Sequence, residues 1–290
     1  MRILVTGSSE YVGRHLVPRL ERDGHDVMMA SGDGPFVEEI EAAGFRYHVL
    51  PVERSGMNPW SELRALASLV RLYRHVRPDV THHFTMKGVL YGSTVAHLAG
   101  LPAFVNSVMG MGYGFGRDGL RARLLWAAMW QRHRLAFRGA QVIFQNPDDR
   151  RVFERAKVMG AAPHTLIRGS GVDTDTFSPA PFVDKKAPLV VFCGRMVWQK
   201  GAGTFVEAAR QFDAEAARFV LVGDTDPDNP DAIPAGQLRA WEQGEAVEWW
   251  GYRDDMPSVL ARADIVAFPS ASARECPRCS SRPPPAPAPS

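Results

Sequence analysis

Cysteine is scarce in this chain. Cys193, Cys276 and Cys279 are the three present, too few and odd in number for a secreted disulfide framework, so a reducing compartment is expected. Charge of one sign is also missing. Thirty-four basic against 32 acidic side chains leave a formal net charge of +2, with none of the one-sided surface that nucleic acid demands, and no nucleic-acid partner is expected. No run approaches the roughly 20 apolar residues of a spanning helix. The opening Met1-Arg2-Ile3-Leu4-Val5-Thr6-Gly7 reaches a turn after too few apolar positions for a signal segment. The expected location is therefore the cytoplasm, free or peripheral at the inner face of the cell membrane. No repeat of solenoid length is visible. What the chain does have is 290 residues with 45% hydrophobic content, enough to fill two cores, and two α/β domains are expected.

Short β-branched runs alternate with longer helical patterns. Ile3 to Thr6 precedes Val12 to Arg22, Val27 to Ala30 precedes Phe36 to Ala43, and Val80 to His83 precedes Val89 to Leu98. That rhythm predicts βαβ units on a parallel sheet. A second series follows the Pro- and Lys-containing stretch 178–188, with strands at Leu189 to Cys193, Phe219 to Val222 and Ile265 to Phe268. The reading is an N-terminal domain over 1–178, a second, incomplete domain over 179–270, and a tail over 271–290. The tail consists of Arg, Ser, Cys, Pro and Ala with almost no large apolar residue, and it is expected to be disordered.

Two loops carry chemistry. Gly7 opens Gly7-Ser8-Ser9-Glu10-Tyr11-Val12-Gly13 where a strand turns into a helix, a geometry that can aim backbone N–H groups at a phosphate. It also looks like the start of a nicotinamide-dependent epimerase. Against that, Glu10 takes the middle glycine position, Met28-Met29-Ala30-Ser31 offers no acid to a ribose, and no Tyr-x-x-x-Lys pair exists. A glycine serving chain geometry alone is the plainer alternative. In the second half, Arg195-Met196-Val197-Trp198-Gln199-Lys200-Gly201 follows a strand and precedes a helix. Two cations so spaced can converge on a diphosphate, the Arg as a planar fork and the Lys as a point charge. Gly223 in Val222-Gly223-Asp224 and Gly251 in Trp250-Gly251 end the next strands, where open α/β sheets bind ligands.

Taken together, Phe144-Gln145-Asn146-Pro147-Asp148-Asp149, Ile167-Arg168-Gly169-Ser170-Gly171-Val172-Asp173, Gly194-Arg195 with Lys200-Gly201, Val222-Gly223-Asp224, and Trp250-Gly251 with Asp255-Met256-Pro257 resemble the family 4 retaining glycosyltransferases. The likeness is to the bacterial branch that builds glycans on polyprenyl diphosphate, and it runs from about Arg2 to Ser270. It implies a GT-B fold, two Rossmann-like domains facing a cleft. In that arrangement the first domain holds a polyprenyl-diphosphate-linked or other saccharide acceptor, and the second holds a nucleotide sugar, usually a UDP-sugar. The nucleotide sugar is a substrate and no cofactor is implied. Arg195 and Lys200 would neutralise the donor diphosphate, and the glycine near Gly7 would let the first domain approach it. Charge builds on that diphosphate as the glycosidic bond breaks, so preorganised cations lower the barrier. The departing phosphate itself is thought to take the acceptor proton.

This sequence departs from the family twice. Where many members carry a His near the reacting sugar, it reads Val105-Asn106-Ser107-Val108-Met109-Gly110, and His83 or Lys87 at the end of the preceding strand are the candidates for that role, with a structural His as the alternative. Then, in place of an Arg-Glu-Gly segment and a helix beginning Val-Leu-Leu-Glu-Ala-Ala-Ala-Cys, the chain ends in Cys279-Ser280-Ser281-Arg282-Pro283-Pro284-Pro285-Ala286-Pro287-Ala288-Pro289-Ser290. A GC-rich run encoding Val-Leu-Leu-Glu-Ala-Ala-Ala-Cys-Ala-Arg-Pro-Ile, read one base later, gives that tail residue for residue. A frameshift between about Pro269 and Cys279 is therefore expected. Cys276-Pro277-Arg278-Cys279 lacks a second pair, so no metal site is expected, and Glu275 is not assigned the family's acidic role. Leu120 to Ala140 holds Arg121, Arg123, Arg132, Arg134 and Arg138 with Trp126 and Trp130, and reads equally as a surface for anionic lipid or as a helix packed on the sheet. An incomplete donor domain should be impaired and leave an apolar sheet edge exposed. A noncatalytic remnant and an NAD-dependent epimerase or dehydratase are the other readings.

Overall fold

The computed structural model describes residues 1–7, 11–34, 37–52, 59–110, 120–169, 171–181, 185–213, 215–227 and 229–270, without the side chains of 11–14, 59 and 120–126. The expected tail, with Glu275, Cys276 and Cys279, lies outside the described residues, as do Ser8, Ser9 and Glu10 of the first loop.

The chain divides into two units, Met1–Gly171 and Val172–Ser290. The division falls before the linker read from the sequence at 178–188. After the last strand of the first sheet the backbone turns away at Gly169 and Gly171, both with positive φ (65° and 77°).

In the first unit β1 (Arg2–Thr6), α1 (Tyr11–Arg22), β2 (Asp26–Ser31), α2 (Val37–Ala42), β3 (Arg46–Val49), α3 (Pro59–Val76), β4 (Val80–Phe84), α4 (Met86–Leu98), β5 (Phe104–Val108), α5 (Leu120–Phe137), β6 (Gln141–Phe144), α6 (Pro147–Arg155) and β7 (His164–Leu166) follow in order. The strands form one parallel sheet, β3-β2-β1-β4-β5-β6-β7. Strands covered on both faces need no polar side, which is why Ile3-Leu4-Val5 reads as a continuous apolar run. Leu4 packs with Leu69, Tyr73, Val89, Phe137 and Phe153, placing α3 to α6 on one face. Ile3 and Val5 pack with Val17 and Ile40, placing α1 and α2 on the other. Local signals set the ends: Asn146 caps α6, its side chain accepting the Asp149 N–H (2.7 Å), with Pro147 in the first turn, where a missing N–H costs nothing.

The second unit repeats the plan in miniature. β8 (Leu189–Cys193), a 3-10 turn (Trp198–Lys200), α7 (Ala202–Ala209), β9 (Arg218–Val222), α8 (Ala235–Gln243), β10 (Glu248–Trp249), α9 (Met256–Arg262) and β11 (Ile265–Val266) build a parallel sheet ordered β10-β9-β8-β11. Phe192, Phe205, Leu221 and Leu238 fill one side, and Val191, Val220 and Val259 the other. The strand expected over 265–268 is regular only at Ile265 and Val266, with the Ala267 N–H still donating to the Val191 carbonyl (2.9 Å), and this edge leaves Ile265, Val266 and Phe268 exposed.

A buried polar network ties the first unit together beneath the sheet. The Asn106 side-chain N–H donates to the Ala136 carbonyl (2.9 Å), which turns its Oδ1 toward His83 Nδ1 (2.7 Å) and the Ser93 hydroxyl (3.0 Å). An amide oxygen only accepts, so His83 Nδ1 carries the proton and Nε2 accepts from the Tyr73 hydroxyl (2.9 Å). Five elements, α3, β4, α4, β5 and α5, thus meet on one neutral imidazole. Burial pushes His83 down to about 4. Burial, with His83 alongside, pushes His82 down to about 3. Both stay neutral in the folded state while the unfolded chain takes up protons near pH 6.5, so stability is full above that pH and drains away as pH falls toward 4 and 3. Between pH 7.5 and 5.5 these two groups are expected to cost the first unit about 2–3 kcal/mol. Urea midpoints across that range measure it, and a flat profile would contradict the network.

Candidate functional site

Each sheet has a point where neighbouring strands are reached by connections running in opposite directions, between β1 and β4 in the first and between β8 and β11 in the second. Helices leave such a point to opposite sides and open a crevice at the carboxyl ends of the strands.

In the first unit Gly7 stands at that point. Its φ is +78°, its N–H donates to the Ala30 carbonyl (3.0 Å), and any Cβ there would run into the Phe84 carbonyl oxygen. Glycine is thus required by close packing against the end of β4. Thr85 follows with φ +64°, unusual for a β-branched residue and costing roughly 1–3 kcal/mol of strain, and its hydroxyl accepts the Gly88 N–H (3.3 Å) at the start of α4. Gly88 packs against the Thr6 carbonyl and the Gly7 Cα. Lys87, in the first turn of α4, meets Glu62 from the first turn of α3 in a half-buried ion pair (2.9 Å).

His83 is not at this edge. It is fully buried with both ring nitrogens occupied, and Gly92 leaves room for its ring on the α4 side. That placement matches the structural alternative given for His83 in the sequence: side chains alternate along β4, and position 83 points toward α3 and α4. His82 bonds the Ser107 hydroxyl (2.8 Å). Of the two candidates, Lys87 is the one at the carboxyl edge. Trp130, read as one half of a lipid-facing pair, stands edge-on to Phe153 (5.2 Å) in the core contact of α5, while Arg121, Arg123 and Trp126 lie outside the described side chains.

In the second unit Phe192, Cys193, Gly194, Lys200, Phe268 and Ser270 line a cavity of about 430 Å³ at the ends of β8 and β11. Burial raises the Cys193 thiol above its ordinary value, which disfavours the thiolate. Gly201 begins α7 with φ +82° and abuts the Pro269 carbonyl, so the backbone after β11 lies against the loop that carries Lys200. Gly223, φ +138°, abuts the Gly194 carbonyl. Gly251, φ +66°, has open space around it, and its carbonyl accepts the Gly223 N–H (2.8 Å).

Arg195 lies beside the cavity, half exposed, with its guanidinium on Asp226 (2.6 Å). This carboxylate was not singled out from the sequence, nor were Asn229 and Asp231. The Asp231 side chain accepts the Gln199 N–H (2.8 Å), its carbonyl accepts the Trp198 N–H (3.0 Å), and Asn229 accepts the Asp231 N–H (3.0 Å). The loop after β9 therefore splints the loop that carries both cations. The signal available was the Asp-, Asn- and Pro-rich run Asp224-Thr225-Asp226-Pro227-Asp228-Asn229-Pro230-Asp231, dense in turn-forming side chains that bond nearby N–H groups.

Two tandem Rossmann-like units, each with a glycine-lined crevice at its switch point, define the GT-B class of glycosyltransferases. Among solved structures, Anabaena HepE in complex with UDP superposes with a TM-score of 0.68 at 19% identity, covering 94% of this chain and 75% of that one. HepE with UDP-glucose gives 0.66 at 20% identity, over 94% and 74%. The chain belongs to the glycosyl transferase 4-like family, which matches residues 2–146, and residues 187–279 match glycosyl transferases group 1. It is 26% identical over 279 residues to the N,N'-diacetylbacillosaminyl-diphospho-undecaprenol alpha-1,3-N-acetylgalactosaminyltransferase of Campylobacter jejuni, 91% of this chain and 72% of that enzyme. It is 22% identical over 257 residues to the Escherichia coli UDP-Gal:alpha-D-GlcNAc-diphosphoundecaprenol alpha-1,3-galactosyltransferase, 84% of this chain and 65% of that enzyme.

The two glycines of the second unit separate steric need from backbone conformation. Gly251→Ala is expected to cost about 1 kcal/mol, the price of a left-handed residue in open space. Gly223→Ala adds a collision with the Gly194 carbonyl and is expected to cost at least twice that. Equal urea midpoints for the two variants would show that the close approach at Gly194 is not tight.

Proposed function

We propose that this chain transfers a sugar, with retention, from a UDP-sugar to a saccharide carried on polyprenyl diphosphate, the second unit holding the donor and the first the acceptor. The observation that supports it most is the cavity at the β8 and β11 ends with Lys200 in its wall and Arg195 beside it, in a family of glycosyltransferases. A diphosphate seated there meets Lys200 as a point charge, and Arg195 turns from Asp226 to add its fork. As the bond from sugar to diphosphate breaks, charge accumulates where those cations are held, and the stabilisation grows toward the transition state. Gly223 and Gly251 keep the backbone low at the neighbouring strand ends, and Gly7 does the same on the acceptor unit. Lys87, held by Glu62, lies at the acceptor unit's carboxyl edge, where it serves as a positioning cation. The donors and acceptors named for the Campylobacter and Escherichia relatives, and the UDP bound by HepE, support this choice of substrates. Working on a lipid-linked acceptor places the enzyme at the inner face of the membrane.

The chain's activity is proposed to be impaired by a shift of reading frame between about Pro269 and Cys279, which replaces the family's acidic donor contacts with the Pro-rich tail. The test is turnover of UDP-sugars by the 290-residue chain beside a version whose frame is restored after Ser270. Turnover only in the restored protein is the expected result, and equal turnover in both would overturn the impairment. In the restored protein, Lys200→Ala is expected to lower kcat by about 10²–10³. A loss under threefold would remove Lys200 from the diphosphate.

A further inference from the structure

The arginine pairs of the second unit are of two kinds. Arg218 holds both oxygens of Glu248 through three bonds (3.0, 2.8 and 3.1 Å), and Arg253 holds both oxygens of Asp255 (2.7 and 2.6 Å). Arg195 meets Asp226 through one N–H on one oxygen, Nη1 to Oδ2 (2.6 Å). A two-toothed pair fixes the plane of the guanidinium, whereas a one-toothed contact engages a single donor of the fork.

The two partners are not equally anchored. Backbone on both sides of Asp226 is tied to the cation loop. The Asp224 carbonyl accepts the Met196 N–H (2.9 Å), the Met196 carbonyl accepts the Ile233 N–H (2.9 Å), Thr225 bridges to Met196 and Ala232 bridges to Val197. The Asp226 carbonyl accepts the N–H of the buried Asn229 (2.8 Å). The Asp226 side chain is 24% exposed and that of Arg195 54%, so a held carboxylate faces a cation whose long side chain stands half in water. Asp224 and Asp231 in the same run are turned to backbone, accepting the Thr225 N–H (2.7 Å) and the Gln199 N–H (2.8 Å).

A carboxylate so placed lowers the charge that an incoming diphosphate meets. It also competes for the guanidinium, because Arg195 must leave it before the fork can close on phosphate. The exchange is easy: a half-exposed pair contributes little stability, and phosphate takes two teeth of the fork where Asp226 takes one. We propose that Asp226 is the exchange partner of Arg195, holding the guanidinium in the empty site, yielding it to a diphosphate and taking it back as the cleaved diphosphate leaves. Its effect is to keep the hold on a nucleoside diphosphate loose enough for release. This role rests on the donor site proposed above.

The experiment is calorimetric titration of UDP into the 290-residue chain and its variants at low salt, with thermal melts to follow folding. Asp226→Asn is expected to lower the UDP dissociation constant about 5- to 10-fold, and Asp226→Ser to lower it likewise. With Arg195→Gln already in place, Asp226→Asn should change it less than about twofold. Damage to a fold loosens a site, so a gain in affinity is a result that a merely structural Asp226 would not give. Unchanged or weaker UDP binding by the folded Asp226 variants overturns the proposal. So does equal tightening with and without Arg195, which would make Asp226 a repelling charge and not an exchange partner, and so does loss of the fold in both Asp226 variants. Lys200→Ala keeps the two ideas apart. UDP binding that is lost on Lys200→Ala but indifferent to Asp226 retains the donor site and overturns the exchange, whereas no UDP binding by the parent or any variant overturns both.

Discussion

The fold turns on how closely backbone can approach backbone at the strand ends. At the switch point of the first sheet, the turn after β1 sits directly against the carbonyl of Phe84 at the end of β4. In the second, the turn after β9 sits against the Gly194 carbonyl and the start of α7 against that of Pro269. No side chain fits at Gly7, Gly201 or Gly223, so each loop lies low and the crevice above it stays open to a ligand. A crevice of this kind lies at strand ends and helix starts, which suits an anionic group such as a diphosphate.

Around those fixed backbones the two units hold their polar groups differently. The first commits His83, Asn106, Ser93 and Tyr73 to an interior network in which each donor finds an acceptor, and it is rigid because a half-satisfied network of buried polar groups is costly. The second places its polar groups on the surface of one loop, where Asp226, Asn229 and Asp231 bond the neighbouring loop that carries Arg195 and Lys200. A buried network thus lies under one crevice and a hydrogen-bonded splint beside the other.

Much of this was legible in the order of residues. The apolar runs gave the strands, because a parallel sheet buried on both faces needs uninterrupted apolar side chains, and Leu189 to Cys193 matches β8 end for end. Gly7, Arg195, Lys200, Gly223 and Gly251 stood out because only certain residues allow such turns or carry such charge. The edge at β11 was harder to read, since the apolar run to Phe268 is longer than the pairing it makes with β8.

What sequence by itself determined is therefore the alternation of elements, the two-unit plan and the positions of the glycines and cations, all properties that local chemistry and periodicity fix. Tertiary structure alone decided which groups are available. His83 and His82 are adjacent in the chain, yet His83 closes the buried network through Tyr73, ten residues away, and Asn106, 23 away, while His82 reaches Ser107. Arg195 finds its partner at Asp226, 31 residues on, and Glu62 of α3 finds Lys87 of α4, 25 residues on. Burial and pairing across such separations depend on how the sheets are wound, and nothing in a local window of sequence contains that information.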